Sequence, residues 1–557
     1  MATFITSKSV GDTLSIGVKT STGFWKYNHN GVDSNVQPNH IDGHPRLNLT
    51  IANANGEFTI ISCNANGNVS GDITSLMISG NQITSFDKTG LAGLTSLFLD
   101  VNQLTSIDVT GLSNLTDLCL DSNQLTSFDG TGLSNLTRLW LTSNQISTFD
   151  GTGLTGLKAR NSGGQPGLDL SYNPLTTFIG GDMGQLTYLD FQNWGITTLT
   201  SFNGAGLSGL TDLVLTSNQL TSFDGTGLTG LTSLYLQNNQ LTSFSGTGLS
   251  NLQNLHLNNN PLTTFIGGDM GSLQELYLNS DDENITTLTS FDGSGLSGLT
   301  YLNLGGNQLT TFDGTGLSSL TGLNLYNNPL TTFIGGDMGL TQINFNGWWG
   351  INTLTSFDGG NMTQLTYLDL YNNQLTSFDG AGLTSLTGLN LYNNQLASLD
   401  GFIFPTSLTW LGLSNNQFTS FNSVGMGLTN LINLNLSNNS SLTSFDGTGL
   451  DNINGIYIYN GQLTSVNVAG LNYLNDLELD GNPMTPSANN QVLQQLNQNG
   501  VQYGYFSSAN GRTDASNTDF VNLLSTLYWS FSGLDLVTPP VVGNGRLAVR
   551  GVRPTPW

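Results

Sequence analysis

Aromatic rings, carboxylates and amides recur beside a repeated Leu-x-Leu pair. The positions that precede, split and follow the pair hold Phe98, Trp140, Tyr188, Tyr235, Tyr277, Tyr301, Tyr326, Tyr367, Tyr371, Tyr392, Trp410, Tyr457 and Tyr459. Interleaved with them are Asp190, Asp212, His256, Glu275, Asn303, Asn324, Asn344, Asp369, Asn390 and Glu478. In an extended strand the two leucines share one face, and the residues around them share the other. Aromatic faces beside hydrogen-bonding groups suit a flat, polar ligand such as a glycan, and they also suit a protein partner. The candidate ligand-binding residues are Trp140, Tyr188, Tyr235, His256, Tyr277, Tyr301, Tyr326, Tyr367, Asp369, Tyr371, Tyr392 and Trp410. The competing reading is plain decoration of a wide sheet. Exposed aromatics in this number work against solubility, which favours recognition.

Other chemistry is thinner. Trp194, Trp348 and Trp349 fall at irregular turns, where they are either buried filler or exposed platforms. Asp281, Asp282 and Glu283 offer carboxylate oxygens of the kind Ca²⁺ takes, but read first as a solvated loop. The aspartates of a recurring Phe-Asp-Gly (Asp129, Asp150, Asp224, Asp313, Asp379, Asp446) read as turn residues, a calcium ladder being the lesser reading. No cofactor is expected. One histidine, His256, lies in the repetitive part, no cysteine follows Cys119, and no Ser-His-Asp or phosphate-loop pattern occurs, so the chain is read as non-enzymatic. A carboxylate pair of the glycosidase kind is not recognisable from sequence.

Charge narrows the partners. The net charge of the 557 residues is −25, and no Lys or Arg occurs from Asn161 to Gly511. Such a surface repels nucleic acid, whose binding needs cations to displace counterions, and it repels anionic membranes. It also offers trypsin-like proteases little, which suits an extracellular setting. Two cysteines, Cys63 and Cys119, make neither a disulfide framework nor a zinc site. The opening residues lack the apolar run of a secretion signal and no stretch is apolar enough to span a membrane, so exit by another route, such as a phage particle, is expected.

These residues must be positioned by a repeat. Leu115, Leu118, Leu120, Asn123, Leu125 and Phe128 spell LxxLxLxxNxLxxF, and Leu136, Leu139, Leu141, Asn144, Ile146 and Phe149 spell its near copy 21 residues later. Carried both ways, the frame gives 19 repeats, the Asn position running from Asn81 to Asn482; Trp194, Asp281, Trp348 and Gly461 replace the Asn. A longer rhythm, PLTTFIGGDMG, starts at Pro174, Pro261 and Pro329 and reads as duplication of a multi-repeat block. A period of this length marks a stacked solenoid, in which one repeat cannot fold alone. An Asn just after the strand can bond the backbone of neighbouring turns, because its amide both donates and accepts.

These motifs resemble the leucine-rich repeat family, nearest the short-repeat, internalin-like bacterial kind, with a phage-encoded origin also considered. The resemblance implies a right-handed coil with one short parallel strand per turn on the concave side of an arc. The expected fold is therefore an α/β-type solenoid. Its convex side should be mostly irregular or short-helical, with a small β-rich N-terminal unit and an α/β C-terminal cap.

The expected domains are a β-rich N-terminal unit (1–70), the repeat array (71–485), the cap (486–537) and a Pro-, Gly- and Arg-containing tail (538–557). In the cap, SANNQVLQQLNQNG reads as a helix starting at Ser487 and stopping at Gly500, VQYGYF as a strand, and DFVNLLSTLYWSF as a helix then a strand. Arg546, Arg550 and Arg553 are candidate attachment residues for a structural partner at a terminus. The expected function is a non-enzymatic extracellular or virion-surface protein, a phage fibre or head-surface component, presenting the concave face to a glycan or protein. A secreted bacterial adhesin is the runner-up. Ice binding, through the threonine row Thr105, Thr126, Thr221, Thr242, Thr310 and Thr376, is a third class.

Overall fold

The structure is a computed structural model that describes residues 2–6, 13–20, 24–29, 32–33, 37–38, 47–50, 57–63, 73–158, 167–192, 196–280, 288–344 and 353–535. Trp194, Trp348, Trp349, the acidic residues 281–283, and Arg546, Arg550 and Arg553 lie outside them. The chain forms two compact units, Met1–Leu278 and Thr287–Trp557, with the few residues between divided among them.

Each turn of the coil contributes one short parallel strand. In the first unit Ser96–Phe98, Asp117–Cys119 and Arg138–Trp140 pair side by side, with Leu97, Leu118 and Leu139 in register. The leucines on either side of each split position, such as Leu139 and Leu141, are fully buried. The second unit repeats the arrangement from Tyr301–Asn303 onward, through Tyr367–Asp369, Gly388–Asn390 and Trp410–Gly412. The fold is a parallel-strand solenoid of leucine-rich repeats.

The opposite wall is more regular than expected. Thr148–Asp150, Thr177–Ile179 and Ser201–Asn203 form a second parallel sheet, and Thr311–Asp313, Thr332–Ile334 and Ser356–Asp358 form another in the second unit. Tight turns join these strands to the next leucine strand; Leu133 donates to the Gly130 carbonyl and Leu136 to that of Leu133, each at 3.0 Å. Among the described residues the array contains no helix. The segments are too short to offset helix nucleation, whereas an extended segment bonds at once to the turn before it.

The central Phe of these strands faces inward. Phe149, Phe178 and Phe202 stack at 5.7 and 5.5 Å, and the row continues through Phe223, Phe244 and Phe265. In the second unit Phe312, Phe333, Phe357 and Phe378 stack at 5.2–5.8 Å.

Asparagine ties each turn to its neighbour. Asn239 is almost fully buried; its amide donates to the carbonyls of Leu215 and Leu236, both at 2.9 Å, and accepts from the Leu220 N–H at 3.1 Å. Asn123, Asn144, Asn260, Asn328 and Asn394 repeat the arrangement. At Gly461 no amide is present, and the Leu442 N–H donates instead to the Asn439 carbonyl at 3.0 Å. The residue before the ladder Asn is left-handed turn after turn: Ser122, Ser143, Asn238, Asn259, Asn327, Asn372, Asn393 and Asn438 have φ between 54° and 61°. Asn tolerates this region better than most residues, which accounts for the recurring Asn-Asn doublets.

Threonine supplies a further rung. The hydroxyls of Thr95, Thr116 and Thr137 donate to the carbonyls of Thr74, Thr95 and Thr116, one coil back. On the far wall Thr263, Thr331 and Thr355 do the same to Thr242, Thr310 and Thr331.

Both ends of the coil meet distinct segments. At the N-terminal side Ala2–Thr6 pairs antiparallel with Ile83–Asp87 and with Glu57–Cys63, and Thr13–Thr20 with Ile73–Met77 and with Leu47–Thr50, so the sheet on each wall continues into antiparallel N-terminal strands. At the C-terminal side α1 (Pro486–Asn499) begins one turn-position earlier than Ser487 suggested. Thr485 is the N-cap, its hydroxyl accepting from Ala488 N at 3.1 Å, because Pro486 suits the first helical position. Gly500 ends the helix in the left-handed region, as expected. Gln495 and Asn499 of α1 accept from the N–H groups of Val468 and Gly470, both at 2.9 Å. Tyr505–Ser507, α2 (Asn517–Ser525) and Ser530–Ser532 follow, the two strands adding to the leucine-strand sheet.

Candidate functional site

The leucine strands decide which side chains are free. With Leu255 and Leu257 turned inward, His256 between them must point out, and the same holds for Tyr235 and Tyr277 in the adjoining turns. The three rings therefore meet: His256 lies 4.8 Å from Tyr235 and 4.2 Å from Tyr277, nearly parallel to the latter at 18°. All three are half-buried. Burial holds the His256 imidazole below its ordinary value, with the Glu275 charge opposing. The triad is an aromatic strip edged by the Glu275 carboxylate, which accepts from the Tyr277 hydroxyl at 3.4 Å.

Elsewhere in the first unit Tyr188 donates to the Asp190 carboxylate at 2.6 Å. Trp140 carries the Arg138 guanidinium 5.6 Å from its ring, and Arg138 is ion-paired with Asp117. Asp121, beside Asp169 and the buried Cys119, is held above the ordinary carboxylate value chiefly by burial.

In the second unit Tyr371 and Tyr392 stack at 5.1 Å with 9° between their planes. Tyr367 and Tyr371 are exposed, Tyr392 and Trp410 half-buried. Burial and then the Asp369 charge raise the Tyr367 hydroxyl. Asp369 and Asn390 accept from the N–H groups of Tyr371 and Tyr392, both at 3.1 Å, so they fix the backbone under the stacked pair.

Glycines let several rings lie flat. A Cβ on Gly388 would come within 2.8 Å of the Tyr367 ring, on Gly322 within 2.7 Å of Tyr301, and on Gly305 within 2.2 Å of Tyr326. Trp410 covers Gly412 in the same way, at 2.8 Å. Of the expected ligand-binding residues, Tyr235, His256 and Tyr277 form one contiguous group and Tyr371 with Tyr392 another. Trp140 lies beside Arg138, Tyr188 on Asp190, and Tyr301 and Tyr326 over Gly322 and Gly305.

The aspartates of Phe-Asp-Gly are turn residues. Asp129, Asp224 and Asp313 each accept from the N–H two residues on, at 2.9 Å, and the hydrogen-bonded threonines Thr131, Thr226 and Thr315 hold them below the ordinary carboxylate value. Among the described residues no group of three His, Cys, Asp or Glu is placed to hold a metal ion, and no helix is long and apolar enough to cross a membrane.

Four exposed aromatics fall outside the expected set: Tyr172, Tyr473, Tyr503 and Tyr528. Tyr503 and Tyr528 stack at 5.3 Å in the C-terminal cap, both with positive φ. The repeat frame reaches them: each stands two residues before its strand, where the array places a leucine such as Leu474.

A family model described as Leucine Rich repeats (2 copies) matches residues 113–156 and 363–403. No curated protein is matched. Among solved structures, the functional domain of InlJ from Listeria monocytogenes is 22% identical, covering 79% of this chain and 74% of that one, with a TM-score of 0.26. A leucine-rich repeat protein from Leptospira interrogans is 24% identical over 75% of this chain and 93% of that one, with a TM-score of 0.33. YopM from Yersinia enterocolitica is 18% identical over 85% and 90%, with a TM-score of 0.34.

Proposed function

From a chain built as a leucine-rich repeat solenoid, we propose a non-catalytic recognition protein that works outside a cell or on a virion and binds a glycan on its leucine-strand face. The observation that carries this reading is the Tyr235–His256–Tyr277 strip, three rings in contact on three successive turns. A pyranose ring has a flat C–H face for such a surface and hydroxyls at its edge for Glu275 and the neighbouring amides. The second unit offers the same chemistry at Tyr367, Tyr371 and Tyr392, with Asp369 beside them.

The setting follows from charge and composition. A span from Asn161 to Gly511 without Lys or Arg withstands trypsin-like proteases and repels nucleic acid. In this reading the ends attach and the array recognises, with Arg546, Arg550 and Arg553 contacting an acidic structural partner. A glycan microarray probed with the labelled full chain tests the proposal. It should return a discrete set of neutral or weakly cationic glycans. Tyr235→Ala/Tyr277→Ala, or Tyr367→Ala/Tyr371→Ala/Trp410→Ala, should weaken them. An array blank at every glycan would sink the reading.

A further inference from the structure

We infer that the C-terminal cap carries a second recognition surface, a tyrosine platform for a neutral saccharide, built from Tyr503 and Tyr528. In the described turns of the array the residue two places before a leucine strand is a buried aliphatic side chain, nearly always leucine; Leu136, Leu231, Leu386 and Leu474 are wholly inaccessible, and Ile453 takes the place in one turn. By register Tyr503 and Tyr528 occupy that same place in the last two turns. They are instead 71% and 57% exposed.

The reversal is produced by the backbone. Tyr503 and Tyr528 have φ of 61° and 59°, the left-handed region that a bulky residue adopts only when its surroundings enforce it. The enforcing contacts are present. Trp529 is 3% exposed, its indole N–H donates to the Val501 carbonyl at 2.7 Å, and a Cβ on Gly504 would come within 2.2 Å of its ring. Tyr503 N donates to the Leu527 carbonyl at 2.7 Å, and Trp529 N to that of Leu523 at 2.9 Å. Trp529 fills the interior that the displaced side chains vacate, and the two tyrosines are held outside it, stacked at 5.3 Å with 11° between planes.

The surroundings select the ligand. Gln502, Ser525, Thr526 and Ser530 flank the pair in the chain, all exposed and uncharged. Arg512, the only basic residue described in the second unit, is 7% exposed, lies 3.9 Å over the Phe520 ring and donates to Asn517 at 2.5 Å. With that cation turned inward, no basic side chain on the described surface of the second unit rewards a phosphate, sulfate or carboxylate. Two parallel rings among amides and hydroxyls fit an uncharged polyhydroxylated ring, its C–H face on tyrosine and its hydroxyls on the flanking polar groups. The platform does not depend on the reading of the leucine-strand face.

Saturation-transfer NMR on the full chain tests this with maltohexaose, cellohexaose and mannohexaose, and with a heparin hexasaccharide as the anionic comparator. At least one neutral hexasaccharide should bind and heparin should not. Tyr503→Gly/Tyr528→Gly should weaken that binding at least tenfold, and Tyr503→Phe/Tyr528→Phe should keep it. Glycine adopts positive φ freely, so the Gly variant should melt no lower than wild type, which separates lost binding from lost folding. Binding of no neutral hexasaccharide, or binding unaffected in the Gly variant, overturns the proposal. So does a cap variant that loses a protein partner while no saccharide registers.

Discussion

Val101 holds φ at 56° in a position where most other turns place Ser, Asn or Gly and one places Tyr172, and it is 57% exposed. A β-branched residue there carries strain and returns little packing. Val101→Asn should therefore stabilise the chain by about 1 kcal/mol, read as a higher denaturation midpoint at unchanged slope. The ladder amide acts in the other direction. Asn239→Leu would leave the buried Leu220 N–H without its acceptor and remove one of the two amide donors at the Leu215 and Leu236 carbonyls, a loss of about 1–3 kcal/mol; a midpoint within error of wild type would refute the bridging role. The turn aspartates set the response to acid. Asp108 is held down to about 2, first by Lys88 and then by Thr110, against an ordinary 3.8. Thr131 does the same in direction for Asp129, and Thr226 for Asp224. Because these folded-state values lie below the unfolded ones, their contribution is present above about pH 4 and is lost as pH falls toward 2. Melting temperature should drop across that window, and Asp129→Asn/Asp224→Asn should flatten the drop. Relief of the net charge of −25 acts oppositely but is spread out and screened within about 8 Å at physiological salt.

At the level of the strand and its turn, the rule that writes leucine at alternate positions was plain in the sequence, because inward and outward residues differ in kind. Leu139 and Leu141 flank Trp140, and the structure buries the first two and leaves the third part-exposed. The Asn bridge was legible for the same reason: one amide type recurs at one place. What escaped was geometry that residue type does not encode. The far wall read as irregular or helical because Thr-Phe-Asp is too short to show a strand period, yet it pairs in parallel from Phe149 to Phe178 to Phe202. Stacking there has a measurable signature. Phe178 is fully buried, lies between Phe149 and Phe202, and meets Phe191 edge-on at 5.1 Å, whereas Phe223 is half-buried. Phe178→Ala should cost about 3–5 kcal/mol, and Phe223→Ala clearly less; equal losses in chemical denaturation would contradict an inward-facing row. Glycines that admit rings, such as Gly388 under Tyr367, were also invisible, since only the next turn shows what a Cβ would strike.

A solenoid is stabilised turn against turn, so its function is dispersed along a surface instead of gathered in a cleft. The sequence indicated which face carries aromatic side chains but not which of them meet. Columns in a sequence are continuous, whereas contacts depend on how each ring turns. Tyr235, His256 and Tyr277 come together, while Tyr301 and Tyr326 settle over glycines. The central claim is that this meeting of rings binds a glycan by stacking. The most direct test is the Kd of the strongest microarray glycan, by calorimetry, for wild type and for Tyr235→Ala/Tyr277→Ala. Loss of two stacked rings at about 0.5–1.5 kcal/mol each predicts a Kd weaker by roughly 5- to 150-fold, with little dependence on salt. A Kd unchanged in a variant that melts like wild type would contradict the claim.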